Sequence, residues 1–278
     1  MHKRILKGNS GCIVELIEAS DQKFFVRKTS SSNSYNDRLA IQMAKQVNFA
    51  AAGFNAPGIW DSGIDDEGRL YFDMEYVPGL KMGELLSGSL PKGINNQLLL
   101  LLDQLEDLKP STIQIVPINE KLNEMQARGL KNDKEKAAIN FLLNFEWGSV
   151  PGKECHGDMT LENLIYNDRG VYLLDFQDVV AESFTQDLAK LSFDLEWNWS
   201  ARYSTSEGNN LVNFGNRISI LRSIKQKYQQ DSGDTYPLDI LAFQLFNVVR
   251  MLPYIKDNES DKVVTEALAS LLNRLKIS

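Results

Sequence analysis

Residues 155–178 read CHGDMTLENLIYNDRGVYLLDFQD, and their pattern is the most informative in the chain. A loop carries an acid, Asp158, and an amide, Asn163. It runs into an apolar strand, a turn at 167–170 and a second apolar strand that ends at Asp175. The two strands predict a tight hairpin, which folds the chain between Asn163 and Asp175 back on itself. We therefore expect Asp158, Asn163 and Asp175 to meet at one end of the hairpin.

Phosphoryl transfer needs a set of side chains of this kind. Two oxygen ligands must hold Mg²⁺ against a triphosphate, and a separate carboxylate must orient the attacking hydroxyl and accept its proton. Asn163 and Asp175 suit the metal, and Asp158 suits the hydroxyl. His156 is expected to support the loop through hydrogen bonds.

The rest of the chain divides into a strand-rich part and a helical part. Alternation of apolar and polar residues predicts strands at 3–7, 12–19, 23–28, 59–64 and 70–76, with one helix at 37–52. Helical periodicity dominates from Met82 onward, interrupted by a short β segment at 153–177. Helices are predicted at 95–108, 119–145 with a break near Gly129, 187–199, 210–229, 238–255 and 261–277. The sequence thus predicts a β-rich lobe at 1–77 and a helical lobe at 78–278.

The pattern His-Gly-Asp-x-x-x-x-Asn, followed by Leu-Leu-Asp-Phe, resembles the aminoglycoside phosphotransferase and choline kinase superfamily. The resemblance implies an α+β, protein-kinase-like bilobal fold. Its small N-terminal lobe is an antiparallel sheet with one helix, and its larger C-terminal lobe is mainly helical and carries the catalytic loop and the acceptor pocket. It implies ATP and Mg²⁺ as cofactors, Asp158 and His156 as catalytic-loop residues, and Asn163 and Asp175 as metal ligands.

Gly8-Asn9-Ser10-Gly11, between the first two predicted strands, looks like a shortened phosphate loop. Gly8, Ser10 and Gly11 would let backbone N–H groups approach phosphate oxygens. The alternative is a plain hairpin turn.

Phe25-Val26-Arg27-Lys28 resembles the strand that supplies a cation to the α- and β-phosphates of the nucleotide. Strand alternation places Val26 and Lys28 on one face and Arg27 on the other. This favours Lys28 over Arg27, and both remain candidates.

The family usually pairs this lysine with a glutamate on the helix of the small lobe. The predicted helix at 37–52 contains no glutamate. The partner is therefore an amide from Gln42 or Gln46, or Asp37, or it is absent.

Met74-Glu75-Tyr76-Val77-Pro78-Gly79 looks like the hinge between the lobes of a kinase. The resemblance implies that the adenine edge bonds to the Glu75 carbonyl and the Val77 amide. An edge strand that ends at Pro-Gly is compatible with this role.

The segment 194–199 reads DLEWNW and falls where the family builds its acceptor pocket. Carboxylates and aromatic faces bind ammonium groups, so Asp194, Glu196 and Trp197 are candidate substrate residues. A choline- or ethanolamine-like amino alcohol is the leading substrate class. An aminoglycoside or another sugar hydroxyl stays open, as does core packing of the tryptophans. Asp187, which opens an Asp-Leu-Ala motif, is predicted to be a helix N-cap rather than a catalytic residue.

The composition of the chain argues against several classes of partner and site. The chain has 37 acidic and 30 basic residues, a balance that argues against a nucleic-acid partner. Two distant cysteines are typical of a reduced, cytoplasmic protein, and no apolar run approaches the ~20 residues that span a membrane. With only two histidines, a histidine-based metal site is nearly excluded.

The sequence thus predicts a small-molecule kinase, a phosphotransferase that moves the γ-phosphate of ATP to an alcohol group. The missing helix glutamate keeps one alternative open, a nucleotide-binding pseudokinase that acts as a scaffold without turnover. The oligomeric state stays open.

Overall fold

The structure is a computed structural model. It describes residues 3–6, 11–19, 23–130, 132–202, 210–228 and 236–277.

The chain forms two compact units, and each contains two separate stretches of sequence. The first unit combines Met1–Leu80 with Asn163–Asp178, and the second combines Lys81–Glu162 with Val179–Ser278. The boundaries predicted from the sequence, 1–77 and 78–278, do not include this return of the chain to the first unit.

The strands of the described residues are short. In chain order they are β1 (Lys3–Leu6), β2 (Ile13–Glu18), β3 (Phe24–Thr29), β4 (Ile59–Ile64), β5 (Leu70–Glu75), β6 (Leu80–Lys81), β7 (Pro110–Ser111), β8 (Gly152–Lys153), β9 (Leu164–Asn167) and β10 (Gly170–Leu173).

The α-helices lie mostly after residue 81. They are α1 (Asn36–Ala51), α2 (Met82–Leu85), α3 (Ile94–Glu106), α4 (Ile115–Ala127), α5 (Asp133–Leu143), α6 (Phe184–Trp197), α7 (Asn210–Tyr228), α8 (Leu238–Met251) and α9 (Asn258–Arg274).

The first unit is built on a five-stranded antiparallel sheet in the order β1-β2-β3-β5-β4. Apolar side chains on one face of the sheet pack against α1. Cys12, Leu39 and Phe72 form the centre of this core, and each is less than 9% exposed. Burying such side chains is the main favourable contribution to folding.

The sequence of helix α1 explains its length and its C-terminal end. No glycine or proline interrupts it, and Gly53 follows it at φ +93°. The amide of Gly53 donates to the Ala50 carbonyl, and the amide of Phe54 donates to the Phe49 carbonyl. This pair of bonds is a Schellman motif, for which glycine suits the left-handed position. The predicted helix at 37–52 is confirmed within one residue at each end.

The β9–β10 hairpin is antiparallel, as predicted, and Leu164 lies opposite Leu173. Polar contacts that the sequence pattern does not predict connect the hairpin to the rest of the first unit. The Leu173 amide donates to the Asn55 carbonyl at 2.8 Å, and the Asn55 side chain donates to the Val171 carbonyl at 3.3 Å. These bonds explain why 163–178 belong to the unit formed by the first 80 residues.

The segment after β5 also contacts the hairpin. The Asn167 side chain donates to the Pro78 carbonyl at 3.0 Å. At Gly79 the backbone approaches so closely that an added Cβ would lie 2.5 Å from the Tyr166 carbonyl oxygen. Glycine at this position is therefore required by the hairpin rather than by the turn alone. The short strand β6 adds to the sheet in the order β10-β9-β6, where the first unit ends.

The second unit is mainly helical, with a buried aromatic cluster. Trp147 is 1% exposed and packs against Phe243 and Phe246 of α8, with ring centroids 5.0 and 5.8 Å away. Its indole N–H donates to the Leu142 carbonyl at 3.0 Å, so the buried donor is satisfied. Among the described residues, no helix has the length and apolar character required to cross a bilayer.

The predicted helix at 119–145 is two helices, α4 and α5. Gly129 has φ +88° in the connection, and the Asn132 side chain caps α5 by accepting from the Glu135 amide at 3.0 Å. The glycine break expected near residue 129 is confirmed.

We expect Gly79→Ala to lower the free energy of unfolding by about 1–3 kcal/mol, because its Cβ would overlap the backbone of Tyr166. Gly58→Ala is the control, since nothing lies within 4 Å of its added Cβ, and it should change stability by less than about 0.5 kcal/mol. Urea unfolding followed by circular dichroism measures both. Equal stability of the two variants would contradict the close approach.

Candidate active site

Helix α6 carries the polar residues that hold the loop at 156–161. Its N-cap is Ser183, whose side chain accepts from the Thr185 amide at 3.2 Å. The prediction of Asp187 as N-cap is therefore wrong, because the helix begins at Phe184, three residues earlier. Asp187 lies inside the first turns, and its side chain points to another part of the unit.

The carboxylate of Asp187 accepts two backbone hydrogen bonds from the loop. The amide of His156 donates to one oxygen at 2.6 Å, and the amide of Gly157 donates to the other at 2.8 Å. Asp187 is fully buried. Gly157 has φ +89°, a left-handed conformation that glycine adopts without strain. One acid therefore fixes the sharp start of the loop.

Asp194 holds the other end of the same loop. Its carboxylate accepts from the Leu161 amide and the Ser200 amide, both at 2.8 Å, and also from the Ser200 hydroxyl. Burial raises the pKa of Asp194 above its ordinary value, and these hydrogen bonds oppose that shift. Because its oxygens are engaged within the protein and it is 0% exposed, Asp194 positions the loop rather than contacting a substrate. The sequence prediction for this residue is corrected accordingly.

A lysine completes the set. The ammonium of Lys190 lies 2.7 Å from Oδ1 of Asp158 and 2.7 Å from the Gly157 carbonyl oxygen. Its side chain is 15% exposed, against 32% for Asp158. No sequence motif indicated Lys190.

Positions 187, 190 and 194 are spaced i, i+3 and i+7, so their side chains lie along one face of α6. That face meets the loop at three successive points. Three charged residues at helical spacing were the signal available in the sequence.

His156 is fully buried, and its Nδ1 accepts a hydrogen bond from the Asp158 amide at 3.2 Å. The imidazole is placed to shape the loop beside Asp158 rather than to contact a substrate.

The first unit contains a second group of candidate residues. The ammonium of Lys28 lies 2.6 Å from Oδ1 of Asp175 and 3.0 Å from Oε1 of Gln42. Lys28 is 5% exposed. The helix partner of this lysine is therefore the amide of Gln42, one of the alternatives that the sequence left open.

Arg27 lies on the opposite face of β3 and has different partners. Its guanidinium forms two bonds of 2.7 Å to the Asp73 carboxylate and lies 4.1 Å from the ring centroid of Tyr71. The bond to Asp73 raises the pKa of Arg27. Because Asp73 binds both sides of the guanidinium, Lys28 is the better candidate for a nucleotide cation. The alternation of β3 separates the two roles.

The hairpin brings Asn163 next to the end of β10. The Leu174 amide donates to the Asn163 carbonyl at 2.9 Å, and Asp175 follows directly. Asp175 has φ +58°, a strained conformation for a residue with a side chain, although aspartate tolerates it better than most. A carboxylate and an amide at the end of one hairpin are oxygen ligands of the kind that Mg²⁺ prefers. That Asp158 meets them stays a prediction.

Residues 175–178 are anchored to α1. The Phe176 ring packs on Phe49 at a centroid distance of 4.9 Å, and Lys45 donates to the Gln177 carbonyl at 2.8 Å. The Gln177 side chain accepts from Gln42 and donates to Oδ1 of Asp175, each at 3.0 Å. Asp175 is therefore held by its chain neighbours as well as by Lys28.

In the described part of the chain, no three or more His, Cys, Asp or Glu side chains form a group that could hold a metal ion. A site of one carboxylate and one amide, completed by phosphate oxygens and water, would not form such a group. The donor set of Asn163 and Asp175 therefore fits Mg²⁺ held with a nucleotide rather than a metal held by protein alone.

The predicted phosphate loop is described only at its end. Gly8 and Ser10 lie outside the described residues. Gly11 has φ +77°, which glycine permits, just before β2.

At the predicted hinge, Glu75 is the last residue of β5, and its amide donates to the Gly58 carbonyl at 2.8 Å. Val77 is buried.

The remaining predicted substrate residues lie at the end of α6. Glu196 forms an ion pair with Arg274 of α9, including a bond of 3.0 Å, and Trp197 is partly buried. The Arg202 guanidinium lies 3.8 Å from the ring centroid of Trp199. Arg274 thus pairs with an acid that was expected to receive a cationic substrate, and Arg202 covers the ring of Trp199 in the same segment.

A model of the APH family, described as the phosphotransferase enzyme family, matches residues 2–215. The chain belongs to this family. Membership confirms the predicted superfamily and the predicted enzyme class, a small-molecule kinase. No match was found among curated proteins.

Solved structures show the same fold. An aminoglycoside-3'-phosphotransferase of type VIII has a TM-score of 0.62 at 18% identity, over 88% of this chain and 92% of that chain. A thermostable mutant of aminoglycoside phosphotransferase APH(4)-Ia, in a ternary complex with AMP-PNP and hygromycin B, has a TM-score of 0.63 at 10% identity, over 98% and 93%. Choline kinase LicA from Streptococcus pneumoniae has a TM-score of 0.59 at 14% identity, over 97% and 94%. The predicted kinase-like α+β class is confirmed.

We expect Asp187→Ala to lower the free energy of unfolding by about 2–5 kcal/mol, because two buried loop amides would lose their acceptor. Asp187→Asn keeps one acceptor oxygen and should lie between the alanine variant and the wild type. Asp133→Ala, with an exposed side chain, is the control. Urea unfolding measures the series, and an Asp187→Ala variant as stable as the control would refute the role assigned to this acid.

Proposed function

We propose that this chain transfers the terminal phosphoryl group of ATP, with Mg²⁺, to a hydroxyl group of a small molecule. The observation that carries the proposal is the 2.6 Å contact between Lys28 and Asp175. Two separate sequence motifs indicate these residues, one for the nucleotide phosphates and one for the metal. They lie 147 residues apart in the chain and touch in the first unit.

Each unit has its own task in this proposal. In the first unit, Lys28 binds the α- and β-phosphates, and Asn163 and Asp175 hold Mg²⁺, which when bound neutralises charge on the phosphate oxygens. In the second unit, Asp158 orients the acceptor hydroxyl and takes its proton. Asp158 precedes Asn163 by five residues, so one loop serves both tasks.

The adenine and phosphate contacts of the proposal use backbone groups. The Glu75 carbonyl and the Val77 amide would bond to the adenine edge at the end of β5. Amides of the segment that contains Gly8, Ser10 and Gly11 would approach the phosphates. Such contacts depend on backbone position rather than side-chain identity.

The acceptor is a hydroxyl of an amino alcohol, an aminoglycoside or another sugar. The pairing of Glu196 with Arg274 and of Trp199 with Arg202 removes much of the charge-based reason for preferring a choline-like amine. Trp197 remains a candidate contact. Related structures include an aminoglycoside phosphotransferase bound to hygromycin B and a choline kinase, so both classes belong in the test.

We expect the wild-type chain to consume ATP with at least one acceptor from a panel of amino alcohols, aminoglycosides and monosaccharides. Asp158→Ala should lower kcat by about 10²–10⁴-fold with nucleotide affinity largely kept, because only the proton acceptor is lost. Asp175→Ala should lower both turnover and Mg²⁺-dependent nucleotide binding. Coupled detection of ADP measures turnover, and titration calorimetry with AMP-PNP measures binding.

The exposed Asp168, in the turn of the same hairpin, provides the control Asp168→Ala, which should keep wild-type turnover. Near wild-type kcat in Asp158→Ala would overturn the assignment. Tight AMP-PNP binding with no turnover on the whole panel would indicate the nucleotide-binding scaffold instead.

Lys28→Met and Arg27→Met should separate nucleotide binding from stability. Lys28→Met should weaken AMP-PNP binding by about tenfold or more, because a charged hydrogen bond to phosphate is worth roughly 1.5–3 kcal/mol. Arg27→Met should leave AMP-PNP affinity unchanged and lower the free energy of unfolding by about 1–3 kcal/mol, because the buried Asp73 loses its partner. Calorimetry and urea unfolding measure the two quantities. The reverse pattern would assign the nucleotide cation to Arg27.

A further inference from the structure

Lys190 is the cation that the structure adds beside Asp158. Residues 155–163 read CHGDMTLEN and contain no lysine or arginine. The loop therefore brings no positive charge of its own. Helix α6 supplies one, at 2.7 Å from Oδ1 of Asp158.

Charge at this place matters for phosphoryl transfer. The acceptor oxygen bonds to phosphorus while the bond from phosphorus to the ADP oxygen breaks, and the hydroxyl proton passes to Asp158. Negative charge spreads over the oxygens of the moving group and lies beside a carboxylate that is itself negative until it takes the proton. A fixed ammonium next to that carboxylate reduces the repulsion between them.

Residues other than Lys190 also hold the loop in place. Asp187 binds the amides of His156 and Gly157, and Asp194 binds the amide of Leu161. The loop is thus attached to α6 on both sides of Asp158 by backbone hydrogen bonds. The two contacts of Lys190 fall between these attachments and reach the Asp158 side chain itself.

We propose that Lys190 is a positioning residue for phosphoryl transfer, which fixes Oδ1 of Asp158 and balances the negative charge that gathers beside this carboxylate. The proposal rests on the proposed function and extends it to a residue outside the motif-bearing loop. Its ammonium acts through Asp158, so its effect depends on that carboxylate.

The test compares Lys190→Met, Lys190→Arg, Asp158→Asn and the double variant in the full chain, with MgATP and the acceptor found in the panel. We expect Lys190→Met to lower kcat by about 10²-fold with the KM for ATP changed less than about threefold. Lys190→Arg should recover at least about tenfold of that loss, because it restores the charge. In the Asp158→Asn background the methionine substitution should cost less than about threefold, because the group through which it acts is gone.

Lys136→Met is the matched control, since Lys136 forms a 3.0 Å ion pair with Asp133 on the surface of α5. It should keep the wild-type kcat. Thermal unfolding of every variant accompanies the kinetics. Failure of Lys190→Met to fold would overturn the proposal, because Lys190 would then be a structural attachment of the loop.

The remaining outcomes separate the two proposals. A wild-type chain without turnover on any acceptor overturns the proposed function and the role of Lys190 with it. A wild-type chain that turns over, with Lys190→Met at the same rate, overturns the role of Lys190 alone. Equal losses from Lys190→Met in the presence and absence of the Asp158 carboxylate would also overturn it.

Discussion

A buried ammonium group must have an anionic partner, and Lys28 imposes this requirement on the first unit. Its side chain sits between the sheet and α1, where solvent cannot stabilise the charge. The amide of Gln42 satisfies one donor but carries no charge. The balancing carboxylate, Asp175, comes from a hairpin more than a hundred residues later in the chain. Residues 163–178 return to this unit, Phe176 and Gln177 contact α1, and the backbone of Asp175 is strained. Together these features place one oxygen of Asp175 beside Lys28.

The second unit solves a related problem with a helix. Three charged residues of α6 project from one face of the helix, and each contacts the loop that carries Asp158. Two are acids that accept backbone amides, and the third is a lysine that binds a carboxylate and a carbonyl. Side chains on one rigid helix keep a fixed spacing, so the groups of the loop that they bind are also held at fixed positions. A loop of irregular backbone can in this way hold a reactive side chain in a defined place.

Much of this arrangement was predictable from local pattern. The alternation of β2, β3 and β5, the helix before Gly53 and the hairpin around 167–170 are local features, and each was located to within a few residues. The choice of Lys28 over Arg27 followed from the two-residue period of a strand.

The errors have a common physical origin. Asp187 and Asp194 are polar residues on a helix, and polar residues usually cap helices or face solvent or ligand. Here they are fully buried because loop amides need acceptors, and sequence pattern does not reveal which distant amides a side chain will meet. The contact of Lys190 with Asp158 was not predicted for the same reason. The partnership of Glu196 with Arg274 depends on how α6 and α9 pack, which no local motif encodes.

The discontinuous first unit has a consequence for synthesis on the ribosome. Its sheet and α1 are complete once the first 80 residues have emerged, yet the carboxylate that balances Lys28 is absent until residue 175 has followed. During that interval the nascent chain contains a lysine destined for burial with no acid to receive it. We therefore expect the first 80 residues to stay loosely packed at this stage. Their final packing then depends on the translation of the stretch that contains residue 175, near the middle of the chain.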